Sequence, residues 1–425
     1  MDLSRSFAPL RHRPFALLWA GAFTSNIGTW METVAVGVLV TSSTGQAGWA
    51  GLVAAAGFVP SAVLGPFGGA LADRLPRRKL LLATTAVQTA LAGLLTVLTA
   101  ADAANPGLVT LVVLASGCAM ALGFPAYQAL LPDLVPREDL AGAVALSSAQ
   151  WNLGRVIGPA LAGVVIRIGG YEWAFGLNTV SFLAVVAVLL ALRLPRPAPA
   201  GEASIVAAIR AGARFVRRDP GIRVVVGYMA LNSLLAAPFI ALVPAVALKV
   251  FHNEQAGTAA LVTAQGVGAV LMGLSLGTLH ARFGSRRVLL GVLWGLPVAL
   301  CGYAAAPTLA LGVVAIFFVG FLYLGALSSF TTVAQLRSPA YLRGRVLSVL
   351  MVLLGTLYPL GSVIQGAIAD RVGLRATTAG AGVVMAATLL AVRLLRPDIA
   401  DGLDELEGAP EPVPVSPEPV PVAPE

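Results

Sequence analysis

The sequence predicts an all-α integral membrane protein whose twelve transmembrane helices form two six-helix bundles. Three observations predict it. Hydrophobic residues make up 57% of the 425 residues and charged residues only 11%, so the chain lacks the charged surface a soluble protein of this length needs. Twelve apolar runs each approach or exceed the roughly 20 residues required to cross about 30 Å of hydrocarbon. The basic residues gather in alternate loops, which gives the bundle an orientation.

In the first half the runs fall at 14–40, 48–72, 80–100, 108–131, 140–167 and 175–193. In the second half they fall at 222–248, 258–281, 287–306, 308–331, 346–369 and 376–395. The first run is too long for a signal-peptide core and lacks a cleavage pattern, so it reads as the first span. Of the 28 Lys and Arg residues, Arg167, Lys249, Arg371 and Arg375 fall on one side and Arg155 falls inside a span. All the others lie at the N-terminus, in the even-to-odd loops or at the end of the last span, which places both termini and the basic loops in the cytoplasm.

The divisions expected are a six-helix bundle over 1–193, a cytoplasmic linker over 194–221, a second bundle over 222–396 and a tail over 397–425. In the linker, Arg210, Arg214, Arg217 and Arg218 share one helical face, with Ile205, Ile209 and Val216 on the other. Such a stretch reads either as a helix lying on the anionic leaflet or as a basic linker that only enforces topology. The tail carries eight acids, no Lys or Arg, and a run of prolines from Pro410 to Pro424, and is expected to be disordered. It masks the basic charge of the membrane domain within the net charge of +8. That charge belongs to a cytoplasmic membrane face and does not indicate nucleic-acid binding.

Cys118 and Cys301 lie in apolar runs, and His12, His252 and His280 are far apart. No metal site, disulfide framework or cofactor is expected. A membrane-embedded enzyme would show paired acids or His-rich loops at a membrane face, and an ATP-driven pump would show a Walker A loop. The sequence shows neither.

The two halves resemble each other at an offset of about 208 residues. Gly69, Arg74 and Arg78 after the second span recur as Gly277, Arg282 and Arg286 after the eighth, and Leu140 and Gly142 recur as Leu342 and Gly344. Six plus six spans in one orientation make a parallel repeat, with substrate bound between the halves near the midplane.

The segment from Gly69 to Arg78 resembles the signature of the major facilitator superfamily after its second helix. It matches at Gly69, Asp73, Arg74, Arg77 and Arg78 and departs at Pro76, where the family has Gly. The resemblance covers about residues 10–396 and implies a cytoplasmic latch, in which Asp73 and the basic residues meet the start of the eleventh helix around Arg343, Arg345 and Val346. An anion at a helix N-terminus is stabilised by about 0.3–1 kcal/mol. The alternative is that these charges serve topology alone, which accounts for the arginines but not for Asp73.

In the fifth span, Gly154, Gly158, Pro159 and Gly163 resemble the superfamily's antiporter motif, with Ala162 replacing one Gly. Gly154, Gly158 and Ala162 form a small-residue stripe that admits a neighbouring helix, or that serves ordinary packing. In the family this motif accompanies exporters that exchange a drug or metabolite for protons. The wider pattern resembles the enterobactin-exporter and macrolide-efflux branch. It is carried by Trp19 to Gly28, Thr44-Gly45, Leu64 to Gly69 and Leu131 to Pro136.

Two charges lie inside spans, Glu32 in the first and Arg155 in the fifth. A charge at the bilayer centre costs about 2.5 kcal/mol or more, so it faces a cavity or a partner. Ser25, Thr29 and Glu32 share one stripe, and Ser148, Asn152 and Arg155 share another. Glu32 is the candidate proton-coupling carboxylate, and Arg155 its partner or the holder of an anionic substrate. Burial raises a carboxylate pKa and a nearby Arg lowers it, so a site alternating between these conditions takes up and releases a proton. The alternatives are a fixed Glu32–Arg155 bond, or a Glu32 that reaches to the outer interface. Many exporters of the superfamily carry an Arg in the fourth helix; here that stretch, Ala115 to Gln128, has none.

Further cavity candidates are Asn26, Gln128, Asn152, Asn232, Gln265 and Gln365, with Trp30, Tyr127, Trp151 and Tyr358 offering aromatic contact. Each is equally explained by helix packing. The expectation is a monomeric secondary transporter in the cytoplasmic membrane, with a small molecule and protons as its partners alongside the lipid. It exports by alternating access, with an importer of a small metabolite as the alternative.

Overall fold

A backbone in lipid must satisfy its own hydrogen bonds, so apolar runs of this length become helices. The computed structural model describes residues 7–192, 214–253, 255–338 and 342–396, and every regular element among them is helical. A 3₁₀ turn, Ala8–Arg11, precedes α1, Arg13–Thr44. Then follow α2 (Ala47–Arg74), α3 (Arg77–Ala100) and α4 (Pro106–Leu134). The stretch Leu140–Ala191 is helical throughout except at Gly170, whose φ of 81° and ψ of −177° separate α5 (140–169) from α6 (171–191). α7, Pro220–Lys249, contains a π-helical turn, Asn232–Ala236. The series ends with α8 (Gln255–Phe283), α9 (Ser285–Ala305), α10 (Leu309–Arg337), α11 (Arg343–Val372) and α12 (Leu374–Leu395).

Among the described residues, ten segments are long and apolar enough to cross a membrane, the one over 137–191 holding both α5 and α6. α1 stands outside the ten because Ser25, Asn26, Thr29 and Glu32 lower its hydropathy, but its 32 residues are ample for a crossing. Most of the linker face read as amphipathic lies outside the described residues, except that Arg214–Arg218 are helical. The tail after Arg396 lies outside them entirely.

Local sequence sets the helix ends. Asn105 accepts the Leu108 amide at 2.9 Å and is followed by Pro106 at the first turn of α4. The expected loop between the fifth and sixth spans shrinks to Gly170, because only glycine adopts that backbone at no steric cost. Gly284 makes the turn between α8 and α9 with φ 79°, whereas Pro76, at the equivalent place between α2 and α3, has φ −56°. The two copies of the motif therefore turn with different backbone angles. Asp219 caps α7 at the Ile222 amide (2.8 Å) and also accepts from Arg337 Nε of α10 at 3.0 Å. Both side chains are nearly buried, so Asp219→Ala removes both the α7 cap and a buried charge-assisted bond to Arg337. A loss of about 3 kcal/mol is expected, read as a fall in melting temperature in detergent.

Buried apolar residues form one continuous cluster across α7–α12 that also takes in Ala47 of α2 and Val216, and two clusters centred in α1–α6. Large apolar side chains such as Val97, Leu111, Leu190, Leu274, Val298 and Val383 stay exposed, as befits surfaces solvated by lipid. Within the first six helices, α1 packs on the α5–α6 stretch and α2 on α4; within the last six, α7 packs on α8 and α8 on α10. The six-plus-six pattern continues in the seams between them, where α2 meets α11 and α8 meets α5.

Among the described residues, the seams are tight toward the end away from the basic loops. A Cβ at Gly355 would lie 2.9 Å from Ala62 Cβ, one at Gly366 2.9 Å from Gly48 Cα, and one at Gly163 2.5 Å from Ala259 Cβ. Toward the basic end, Gly65, Gly69 and Gly277 face open space. Among the described residues the seams are thus closed at one end and open at the end that carries the basic loops.

Candidate functional site

The small residues of α5 decide what comes near its charge. A Cβ at Gly154 would lie 3.0 Å from Asn26 Cβ, and one at Gly158 2.6 Å from the Ile27 carbonyl oxygen, so both glycines receive α1. Gly163 receives α8 instead, and Gly266 of α8 packs against the Arg155 backbone. The motif helix therefore serves two neighbours, one in each half. Gly158→Val is expected to push α1 away and cost about 1–3 kcal/mol, read as a lower melting temperature and lost transport at unchanged membrane insertion.

Between these contacts Arg155 reaches the space between the halves. Its guanidinium carbon lies 5.7 Å from the Trp30 ring centroid, and Trp30 meets Trp151 edge-on at 5.6 Å. Tyr323 of α10 and Tyr358 of α11 lie in the neighbourhood of Arg155. Tyr358 packs edge-on against Phe58 of α2 (5.1 Å), and Tyr323 against Phe239 of α7 (5.7 Å). Arg155 thus meets an aromatic ring of α1, and the tyrosines of α10 and α11 lie on the other half's side. Among the described residues, no hydrogen bond or ion pair reaches the Arg155 guanidinium.

Glu32 is elsewhere. Its Oε2 accepts from Asn178 Nδ2 of α6 at 2.7 Å, and Ser181 Oγ donates to Asn178 Oδ1 at 3.0 Å. Gly28, one turn before Glu32, leaves the space that Asn178 and Ser181 occupy. The fixed Glu32–Arg155 bond weighed as an alternative is not formed among the described residues, because Glu32 is on the α6 side of α1 while Trp30 is on the α5 side. Asn178, fully buried, is the partner that sequence reasoning missed; its signal was the Asn178/Ser181 spacing of three in an apolar span. Tyr323 was missed too, as a lone tyrosine in the most apolar stretch of α10.

The remaining candidates separate. Tyr127 accepts from Gln150 Nε2 at 2.6 Å and contacts Ser147 Oγ at 3.3 Å, tying α4 to α5 rather than joining the aromatic cluster. Asn152 donates to its own helix at Ser148 O, and Gln128 is exposed. Asn232 begins the π-helical turn, fully buried, with neither side-chain polar atom bonded among the described residues. Gln365 donates to the Leu234 and Leu235 carbonyls at 3.0 and 2.9 Å, supplying bonds that the turn's altered ladder lacks. Gln265 is buried and leaves its Nε2 unbonded among the described residues.

The expected latch is not made in this conformation. Arg77 donates to Ala129 O and Asp133 Oδ2 (both 2.9 Å), Arg78 to the Leu189 and Leu190 carbonyls (2.5 and 2.8 Å), and Arg343 to Gln335 O and Ser338 O (3.1 and 3.2 Å). Each bond stays within its own half. Arg74 and Arg345 are exposed, as is Asp73, which bonds to no described side chain or backbone group. The open seam at this end is the reason.

A family model described as transmembrane secretion effector matches residues 4–416. The multidrug efflux pump Tap of Mycolicibacterium fortuitum is 28% identical over 381 residues, covering 86% of this chain and 91% of that protein. The enterobactin exporter EntS of Citrobacter koseri is 30% identical over 346 residues, covering 79% and 80%. Macrolide efflux protein A of Streptococcus pyogenes is 22% identical, covering 85% and 90%. Among solved structures, a D-xylose–proton symporter superposes with a TM-score of 0.72 at 12% identity, covering 89% of this chain and 97% of that one. A bacterial homologue of the lysosomal transporter Spinster, inward-facing and unoccupied, gives 0.69 at 16%, covering 93% and 97%. The twelve-helix fold, the seams between its halves and these matches place the chain in the transmembrane secretion effector family of major facilitator efflux transporters.

Proposed function

We propose that this protein expels small molecules bearing an anionic group and an aromatic or apolar body from the cytoplasm in exchange for protons. The observation that carries the reading is the Arg155 guanidinium, which has no acceptor among the described residues and lies beside the Trp30 ring, with Tyr323 and Tyr358 of the other half nearby. A cation held inside a membrane bundle needs a counter-charge or a wet cavity. A fixed Glu32–Arg155 bond would have removed that need, and Glu32 bonds Asn178 instead. A carboxylate, phosphate or phenolate on the substrate supplies the missing acceptors, and Trp30, Trp151, Tyr323 and Tyr358 supply stacking surface.

Glu32 with Asn178 is the proton site of this reading. The other described carboxylates lie at helix ends or in loops, and Glu32 lies within a span. The basic end is cytoplasmic by the distribution of Lys and Arg, so the described conformation is open inward, and the protein acts as a monomer in the cytoplasmic membrane. Alternation follows from rocking of 1–193 against 222–396 about the Arg155 depth.

Expression in an efflux-deficient bacterium tests the direction. Cells challenged with a panel of antibiotics, dyes and siderophores should exclude the anionic aromatic members, and a protonophore should abolish exclusion. Accumulation of every responsive compound would overturn export.

A further inference from the structure

α11 ends in Gly366-Ala367-Ile368-Ala369-Asp370-Arg371, and α2 ends in Gly69-Ala70-Leu71-Ala72-Asp73-Arg74. Five of the six positions are identical, yet the offset is not the 208 of the six-plus-six repeat, which relates α2 to α8 and α5 to α11. The two hexapeptides close two antiparallel helices that face each other along one seam. They therefore sit at opposite ends of that seam.

The Asp370 carboxylate makes a contact across the halves. Oδ1 accepts from the Ala47 amide at 2.7 Å and Oδ2 from the Gly48 amide at 2.8 Å. These are the first two amides of α2, which have no acceptor within their own helix. Gln46, the residue at the cap position of α2, makes no side-chain cap bond. Asp370 is thus the cap of a helix in the other half, and the charge meets the positive end of that helix. Gly48 makes the approach feasible, since a Cβ there would lie 2.9 Å from Asp370 Oδ2. Lys249 of α7, in the same half as Asp370, stands 3.4 Å from Oδ1.

The opposite end of the seam has the same parts, unassembled. Leu342, at the cap position of α11, makes no side-chain cap bond. Gly355 lies against Ala62. Moving eleven residues toward the basic end on each antiparallel helix leads to Asp73 on α2 and Gly344 in the first turn of α11. Closure of that end brings Asp73 to the first amides of α11, as Asp370 now meets those of α2.

We infer that Asp370 is the counter-latch to Asp73: each carboxylate caps the other's helix, and the two caps alternate because the halves meet at one end at a time. The inference rests on the alternating-access reading above. It makes Asp370 a positioning residue that stabilises the inward-open state, with Asp73 stabilising the outward-open state.

The test uses spin labels on cysteines introduced at Ala103 and Pro307, exposed positions in loops of the two halves at the Asp370 end, with Cys118 and Cys301 replaced. Electron–electron distance distributions in lipid nanodiscs read the ratio of closed to open at that end. Asp370→Asn should lower this ratio on the order of tenfold, the usual worth of a charged cap. Asp73→Asn should raise it, and the double variant should return it toward wild type. Asp370→Glu, which keeps the charge, should recover part of the shift and serves if Asp370→Asn folds poorly.

An unchanged ratio in Asp370→Asn overturns the inference, as does a shift of the same sign in both single variants. A shift in Lys249→Gln as large as that in Asp370→Asn assigns Asp370 to an ion pair within its own half and also overturns it. Loss of proton-driven efflux in every preparation, wild type included, would overturn the transport reading while leaving the distance ratios to decide the latch.

Discussion

Glu32→Gln should leave a protein that still binds and exchanges substrate but no longer concentrates it against a gradient when protons are supplied. Gln has the shape of Glu, and its Oε1 can still accept the Asn178 Nδ2 bond seen at 2.7 Å. The helix contact at Gly28 therefore survives, and only the capacity to ionise is lost. In proteoliposomes, pH-driven transport is expected to fall at least about tenfold while counterflow stays within about threefold, since binding and coupling are separate functions of separate groups. Asn178→Ala should act differently. It leaves the half-buried Glu32 carboxylate without the Asn178 donor, so both the pH dependence and the stability should change. Persistence of full pH-driven transport in Glu32→Gln would sink the proposed proton site.

The second large effect is expected at Arg155. Arg155→Met removes five donors and the charge while keeping most of the volume, so affinity for an anionic aromatic substrate should drop by roughly 10–100-fold. Arg155→Lys should recover part of it, because the charge remains and the planar fork does not. A neutral analogue of the same substrate should bind with less than about a threefold change, since its contacts are with the aromatic rings. Trp30 lies beside the guanidinium and Trp151 against Trp30, so quenching of their fluorescence reads binding. Equal losses for anionic and neutral compounds would show that Arg155 supports packing and does not recognise charge.

The two predictions separate charges that sequence spacing had drawn together. Polar stripes placed Glu32 and Arg155 on wet faces of α1 and α5, and both do sit beside polar or aromatic partners. A stripe fixes a face, however, and not which neighbour that face meets. That depended on Gly28 admitting α6 and on Gly154 and Gly158 admitting α1. The latch arginines show the same limit. Their clustering after the second span was plain in the sequence, but Arg77 and Arg78 reach the carbonyls and carboxylate of their own half. Asp370 is the reverse case. Its hexapeptide is visible in the sequence as a near copy of 69–74, yet its meaning needs the antiparallel seam that sets it against Ala47 and Gly48.

What the sequence by itself determined is the class and the framework. Twelve apolar runs, the alternating basic loops and the Gly69–Arg78 and Gly154–Gly163 motifs were enough for the fold and the family, because lipid leaves a backbone few options and charge placement is local. What only the tertiary structure decided is which side chains meet across 100 residues or more. The Glu32–Asn178 bond, the rings around Arg155 and the Asp370 cap all join distant helices. The separation of the seam at the basic end belongs to the conformation and not to any one segment. Such contacts depend on how small residues let helices approach, and that is a property of pairs of surfaces.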